Sequence, residues 1–226
     1  MIAYSTLPWE RIHDRAPLSL RLAALTAREI VEGRRPAGSW LTESDIADAG
    51  GASRTPAREA MLQLAGWRLV TIAPKKGAVV TAIGPSEYRE LLDLRALLET
   101  NAVEQAVIHE GRLPTLGVNL EKTISRQRAA VEASDLLGFA AGDYAFHAQI
   151  IRSSGGSLVG EILDLVGPRF ARLTHLAVST NPGRIATLLD EHTALARYAT
   201  DGDVPAFRKM IARHIEAGHQ ALAGAA

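Results

Sequence analysis

Asp143 and His147 stand four residues apart in a stretch with helical periodicity, so their side chains face the same way. His192 and His214 lie 22 residues apart, and the turn sequence Asp201-Gly202-Asp203 falls midway between them. If the flanking segments form an antiparallel helix pair, each histidine sits about 16 Å from the turn, and the two stand level. Three helices could thus aim Asp143, His147, His192 and His214 at one point. One carboxylate and three imidazoles suit Zn, with Ni, Mn or Fe as other divalent ions that take such a set. Positions left open on the ion could take water or a small carboxylate. Taken singly, His147 could equally be a core histidine with a satisfied hydrogen bond, and Asp143 an acid near a helix start.

A different chemistry is concentrated in Ser53-Arg54-Thr55-Pro56-Ala57-Arg58-Glu59. Arg54 lies at a helix N-terminus, and Arg58 follows one turn deeper on the same side. Arginine pairs in bidentate fashion with guanine. Ser53 and Thr55 can bond a phosphate where the free N–H groups of a helix start also favour an anion. Lys75, Lys76 and Gly77 mark the tip of a hairpin that could track the DNA backbone. Any one of these residues alone could be a cap or solvated surface; together they point to double-stranded DNA. Arg95 sits one turn from Leu91 and Leu98 and two from Ala102, and leans toward an apolar face. A buried arginine needs an anion. Glu99, at i+4, could supply it.

The spacing of apolar residues supplies the elements that would hold these groups. Residues 1–17 carry Pro8, Trp9 and Pro17 and read as an irregular N-terminal arm. Leu18 to Glu32 repeats apolar residues at helical spacing and stops at Gly33. Thr42 to Asp45 resembles a capping box, opening a short helix to Ala49 that ends at Gly50-Gly51. The next helix starts at Ser53 or Thr55, accepts Pro56 in its first turn and stops at Gly66. Leu69–Ile72 and Ala78–Ala82 read as two strands around the turn Pro74-Lys75-Lys76-Gly77. Residues 18–82 are thus three helices and a β-hairpin, a winged helix-turn-helix. After a short linker, with Ser86 as the expected N-cap, strand signals cease. Helices are expected from Ser86 to about His109, then over 114–133, 135–153, 157–179, 184–200 and 203–222. The fold class is mainly α, with a six-helix bundle over 83–226.

Composition bounds the alternatives. The 226 residues are 47% hydrophobic and 22% charged, with 25 basic and 25 acidic side chains and no cysteine. Disulfides, thiolate metal sites and cysteine nucleophiles are excluded. Residues 1–82 carry 11 basic and 8 acidic groups, the remainder 14 and 17, so a basic segment joins an acidic one. No apolar run approaches a membrane span, and no secretion signal is expected at the N-terminus, which fits a cytoplasmic protein.

Residues 18–82 resemble the winged-helix domain of the GntR transcriptional regulators. The resemblance is carried by Gly38, Leu41, Ile46-Ala47, the run from Ser53 to Ala60, Leu64 and the wing from Lys76 to Val80. Ser44 stands where that family often has a basic residue, Gly51-Ala52 replaces Gly-Val, and Trp67 replaces a common Gly. Residues 86–222 resemble the FCD ligand-binding domain of the FadR-type branch. Its matching pieces are Arg95 with Glu99, Asp143 to His147, Ser154-Gly155, Glu191-His192, and Gly202-Asp203 through Arg213-His214. Gly155-Gly156 replaces the familiar Gly-Asn. The resemblance implies that Asp143, His147, His192 and His214 bind a divalent metal beside an effector pocket. It also implies that Arg95 holds an effector carboxylate.

The expectation is a homodimeric regulator, and in sign a repressor, that binds a pseudo-palindromic operator and answers to a small organic acid. The alternative is a metal-dependent enzyme acting on a small carboxylate, with an appended DNA-binding domain. Against it, no second carboxylate is placed as a general base, and no Gly-x-Ser-x-Gly nucleophile motif occurs.

Overall fold

The computed structural model describes residues 7–109 and 112–223. The N-terminal part runs α1 (Pro8–Arg11), α2 (Leu18–Val31), β1 (Trp40–Leu41), α3 (Glu43–Ala49), α4 (Arg54–Gly66), β2 (Val70–Ala73) and β3 (Gly77–Val80). Thr42 Oγ1 accepts from the Asp45 amide at 3.1 Å, and the Asp45 carboxylate accepts from the Thr42 amide at 2.7 Å. This reciprocal box fixes the start of α3, with Asp serving where Glu or Gln is commoner. At the other end of α3, a Cβ added to Gly50 would lie 2.0 Å from a Leu22 methyl, so a larger residue there would have to push the Leu22 side chain aside. Ala57, Ala60, Met61 and Leu64 recur at helical spacing on α4 and are buried against Leu22, Ile30 and Ile46.

The β-hairpin is part of a three-stranded antiparallel sheet in the order β1-β3-β2. Trp40 pairs with Val79 and Leu41 with Ala78; Val70 pairs with Val80 and Ala73 with Gly77. Strand β1 escaped the sequence reading because two residues carry no usable alternation. The hairpin turn places Pro74 second and Lys75 third, the latter with φ 65°, the pattern of a type II turn. Gly77 has φ 106°, and a Cβ there would lie 2.5 Å from the Leu41 carbonyl oxygen. Only glycine lets β1 close onto this end of the hairpin.

Six helices follow: α5 (Pro85–Ile108), α6 (Arg112–Glu132), α7 (Leu136–Arg152), α8 (Ser157–Thr180), α9 (Arg184–Thr200) and α10 (Val204–Ala223). Helix α7 is the hub. All residues from Phe139 to Ile151 are buried, as expected of a helix surrounded on every side. It packs on α5, α6 and α8, while α10 packs on α5 and α9. Helix α8 runs through Pro168, and a Cβ on Gly167 would lie 2.7 Å from the Tyr144 ring. That close approach lets the Tyr144 hydroxyl donate to the Leu163 carbonyl at 3.0 Å.

Three local expectations differ from the structure. Residues 7–11 are not an irregular arm, although residues 1–6 of that expectation lie outside the described residues. Pro8–Arg11 form one helical turn, Leu7 is wholly buried in the core of the helical bundle, and Trp9 packs against both cores. Burial of two large apolar side chains outweighs the turn-like composition. Gly66 is the last helical residue rather than the stop. The chain leaves the helix at Arg68, with φ 55°, and the Leu69 amide reaches back to the Leu64 carbonyl at 3.0 Å. Gly84, not Ser86, is the N-cap of α5; Pro85 takes the first helical position, and the Ser86 hydroxyl bonds Glu90.

Candidate metal centre and nucleic-acid interface

Ser53 precedes α4 with extended backbone, so the side chains of its first turn project from the globule. Ser53, Arg54, Thr55 and Arg58 are all exposed, as are Lys75 and Lys76 at the hairpin tip. Ser53 makes no side-chain cap bond, which leaves its hydroxyl available for another acceptor or donor. Arg54, Arg58, Lys75, Lys76 and Gly77 line one concave surface of about 620 Å³ between α4 and the wing. Ser44 and Glu43 line its far side. Four cations thus share one cleft on the outside of the head, a shape and charge suited to a phosphate backbone and groove.

The second constellation is wholly interior. One ligand atom from each of Asp143, His147, His192 and His214 falls within 4.8 Å of every other, and all four residues are buried. Helix α7 supplies the first two from adjacent turns. The α9–α10 hairpin, turning at 201–203, supplies the others with ring centroids 5.1 Å apart, so the two histidines stand level.

Each imidazole is oriented from outside. His147 Nδ1 lies 2.9 Å from the Glu99 carboxylate, His192 Nδ1 2.7 Å from Gln127 Oε1, and His214 Nδ1 2.7 Å from Glu191. Gln127 in turn donates from Nε2 to the Gly142 carbonyl at 3.1 Å, which fixes its oxygen toward the histidine. Acceptors at all three Nδ1 atoms place the protons there and leave the Nε2 lone pairs for the centre. The Nε2 atoms of His147 and His192 are then 3.2 Å apart with no proton between them. Facing lone pairs repel, and a cation among them converts the repulsion into ligation. The residues present therefore fit a divalent metal in donor type, number and orientation.

The electrostatics agree. Burial pushes the imidazoles of His147 and His214 down, the latter to about 4 despite its bond to Glu191, so both are neutral. Burial opposes ionisation of Asp143, yet the neighbouring His192 imidazole and the Arg95 charge hold it well below the usual carboxylate range. Thr174 on α8 also donates to Asp143 Oδ2 at 2.8 Å. Burial pushes the Glu99 carboxyl up to about 8, with Arg95 opposing.

Arg95 is 5% exposed, and its guanidinium lies 3.4 Å from Glu99 and 3.7 Å from Asp143, beyond good hydrogen-bond distance. Its Nε has no hydrogen-bond partner. Glu99, the partner foreseen within the chain, and Asp143, which was not foreseen, are thus nearby without satisfying it. Arg95, Asp143, Thr174 and His214 form one end of a small cavity of about 40 Å³.

Sequence reasoning missed Gln127, Thr174 and Arg172. Gln127 had a signal, since Leu116, Leu120, Thr123, Ile124 and Gln127 form one buried stripe of α6, and an amide there needs a partner. Arg172, two residues before Thr174, donates to the Thr81 carbonyl at 2.7 Å, where the wing leads into the linker. No local pattern marks that contact. His13, His109 and His175 stand apart from the cluster, His175 lying against Ser179, and the side chain of His219 lies outside the described residues.

A basic winged helix-turn-helix head joined to an all-helical bundle defines a DNA-binding transcriptional regulator. Residues 18–80 match the gntR family of bacterial regulatory proteins and residues 90–217 match the FCD domain, so the chain belongs to the FCD-containing, FadR-type branch of that family. It is 30% identical over 155 residues to a gluconate operon transcriptional repressor of Bacillus subtilis, covering 69% of this chain and 63% of that one. It is 24% identical over 211 residues to the transcriptional repressor RspR of Escherichia coli, covering 91% and 89%. Among solved structures, a transcriptional regulator from Rhodococcus sp. RHA1 shares the fold with a TM-score of 0.78 at 19% identity, over 92% of this chain and 98% of that one. The family and its curated relatives are transcriptional regulators, which sets aside the alternative of a metal-dependent enzyme. No helix among the described residues is long and apolar enough to cross a membrane.

Proposed function

We propose that the chain acts in the cytoplasm as a homodimeric repressor, each head placing α4 in the major groove of one half of a pseudo-palindromic operator. Arg54 and Arg58 read base edges, Ser53 and Thr55 meet phosphate at the helix start, and Lys75 and Lys76, with the close turn at Gly77, follow the backbone. Asp143, His147, His192 and His214 hold a divalent metal, zinc first by donor type. When bound, that ion supplies positive charge and an open position for a carboxylate oxygen. Arg95 holds the other side of the carboxylate, which gives its unsatisfied guanidinium a partner.

The observation that carries this reading is the pairing of contacts on α8. Thr174 bonds an oxygen of Asp143 in the ligand centre, and Arg172 bonds the backbone at the exit of the wing. A ligand that shifts α8 by a fraction of an ångström acts on both. Binding must favour one arrangement of the two heads over another, since equal affinity shifts nothing. Repressor relatives support the sign. The test is a titration of small carboxylates against zinc-loaded protein on a duplex recovered by selection. At least one acid should weaken DNA binding, with the effect lost after chelation and in Arg95→Gln. If no acid changes DNA affinity with or without metal, the ligand-controlled reading fails.

A further inference from the structure

We infer that the ligand has two anionic ends joined by a short aliphatic middle, and that Arg184 anchors the second end. This rests on the reading that a first carboxylate sits beside Arg95. Arg184 opens α9 and lines the same cavity as Arg95 and His214. Leu188 follows one turn on and His192 two turns on, so the three share a face of the helix. The rise from Arg184 to His192 is about 12 Å. His192 Nε2 lies 3.3 Å from Asp143 in the centre, Leu188 forms a wall of the cavity, and Arg184 stands at its mouth.

Arg184 is half-buried, and no described residue forms an ion pair with it. Its neighbour in charge, Glu191, is held by His214 at 2.7 Å. Tyr88 lines the same cavity, and its hydroxyl feels the Arg184 charge. A cation left without a fixed partner at the mouth, and a second, nine-tenths buried and unsatisfied at the floor, bracket one space.

The size and lining of that space define what joins the two ends. About 40 Å³ accommodates a single carboxylate and little more, so the remainder of the ligand runs outward along the mouth. The long stem of Arg184 shortens the gap to roughly half the helical rise, the length of about four to six carbons in an extended chain. Apart from the charged groups, the lining is mostly apolar, with Leu92, Leu173, Ala177, Leu188 and Ile215 beside the Tyr88 and Thr174 hydroxyls. Thr174 already donates to Asp143, so a chain of several hydroxyls would find few partners along this lining, whereas methylenes need none. The class is therefore an aliphatic α,ω-dicarboxylate, distinct from the polyhydroxy acid named for the Bacillus subtilis relative.

Calorimetric titration of the zinc-loaded full chain tests this with matched pairs, butyrate against succinate and valerate against glutarate, together with gluconate. A dicarboxylate should bind about tenfold or more tighter than the monocarboxylate of its length. Arg184→Gln should erase that advantage, weakening the dicarboxylates far more than the monocarboxylates; Arg184→Lys should keep most of it; Arg95→Gln should weaken both series. Equal binding within the pairs, or a preference that survives Arg184→Gln, overturns the second anchor. Gluconate binding more tightly than glutarate overturns the aliphatic middle. If no carboxylate binds with zinc or after chelation, the first carboxylate site fails, and this inference falls with it.

Discussion

The guanidinium of Arg172 donates to the main-chain carbonyl of Thr81 at 2.7 Å, tying the middle of α8 to the residue where the wing leads into the linker. Thr81 is also bound from the other side. Its amide bonds the Leu69 carbonyl at 3.0 Å and its hydroxyl bonds the Arg68 carbonyl at 2.9 Å. Helix α2 packs on α8, and its Val31 belongs to the core of the helical bundle. The DNA head is therefore attached by more than its linker.

Removing the tether should loosen the head without unfolding either part. A charge-assisted hydrogen bond contributes about 1.5–3 kcal/mol. In Arg172→Ala, amide exchange over residues 78–84 should quicken severalfold while α7 stays protected. Unchanged exchange there would mean that the contact restrains nothing.

The metal reading makes a quantitative demand on a residue that touches no ligand position. Gln127 orients His192, and losing such an outer partner typically costs about 10–100-fold in metal affinity. Zinc titration of Gln127→Ala should show a loss in that range with helicity retained, and His192→Ala should abolish stoichiometric zinc. Chelation should also lower Tm, because a ligand at 100 times its Kd stabilises by about 2.7 kcal/mol. An unchanged affinity in Gln127→Ala would contradict the orientation of His192 described above.

The start of α3 offers a test of local structure with a defined pH sense. Thr42→Ala should cost about 1 kcal/mol. The Thr42 backbone and side-chain hydrogen bonds hold Asp45 below its ordinary range, against a small opposing effect of burial. A depressed carboxylate contributes stability above its unfolded value, and that contribution disappears as pH falls through the folded value. The Tm gap between the natural chain and Asp45→Asn should thus be open at neutral pH and narrow as pH falls below about 4. A gap independent of pH would refute the box as a source of stability.

The wing depends on one glycine. At Gly77 a side chain meets both a left-handed backbone and the Leu41 carbonyl oxygen. Gly77→Val should separate β1 from β3 and weaken DNA binding across all sequences alike, with zinc binding in the bundle preserved. Loss of zinc as well would show that the damage is global.

Much of this architecture was legible from spacing. The helices of the bundle appear because Leu, Ala and Ile recur at helical period and because Gly155-Gly156, Pro182-Gly183 and Asp201-Gly202 interrupt them. The level pair His192 and His214 could be read because a symmetric turn lies between them. Contacts between distant segments left no such trace. Arg172 reaches a backbone carbonyl, which has no sequence identity, and Arg184 looks like an ordinary charged residue at a helix start. Leu7 and Trp9 read as tail because four helical residues are too few to show a period. Their burial is set by surfaces of α2 and the bundle that only the fold assembles.

Selection of tight binders from a random duplex pool, followed by titration of the recovered sequence, tests most directly the claim that α4 reads DNA in symmetric pairs. The recovered sequence should be a two-fold repeat with half-site centres one helical turn, about 10 base pairs, apart or a multiple of it. Affinity should fall steeply with salt. Arg54→Ala or Arg58→Ala should each lose about 1–3 kcal/mol of discrimination at one position of the half-site while the zinc content stays whole. Enrichment of no symmetric sequence, or full affinity in both arginine variants, would contradict it.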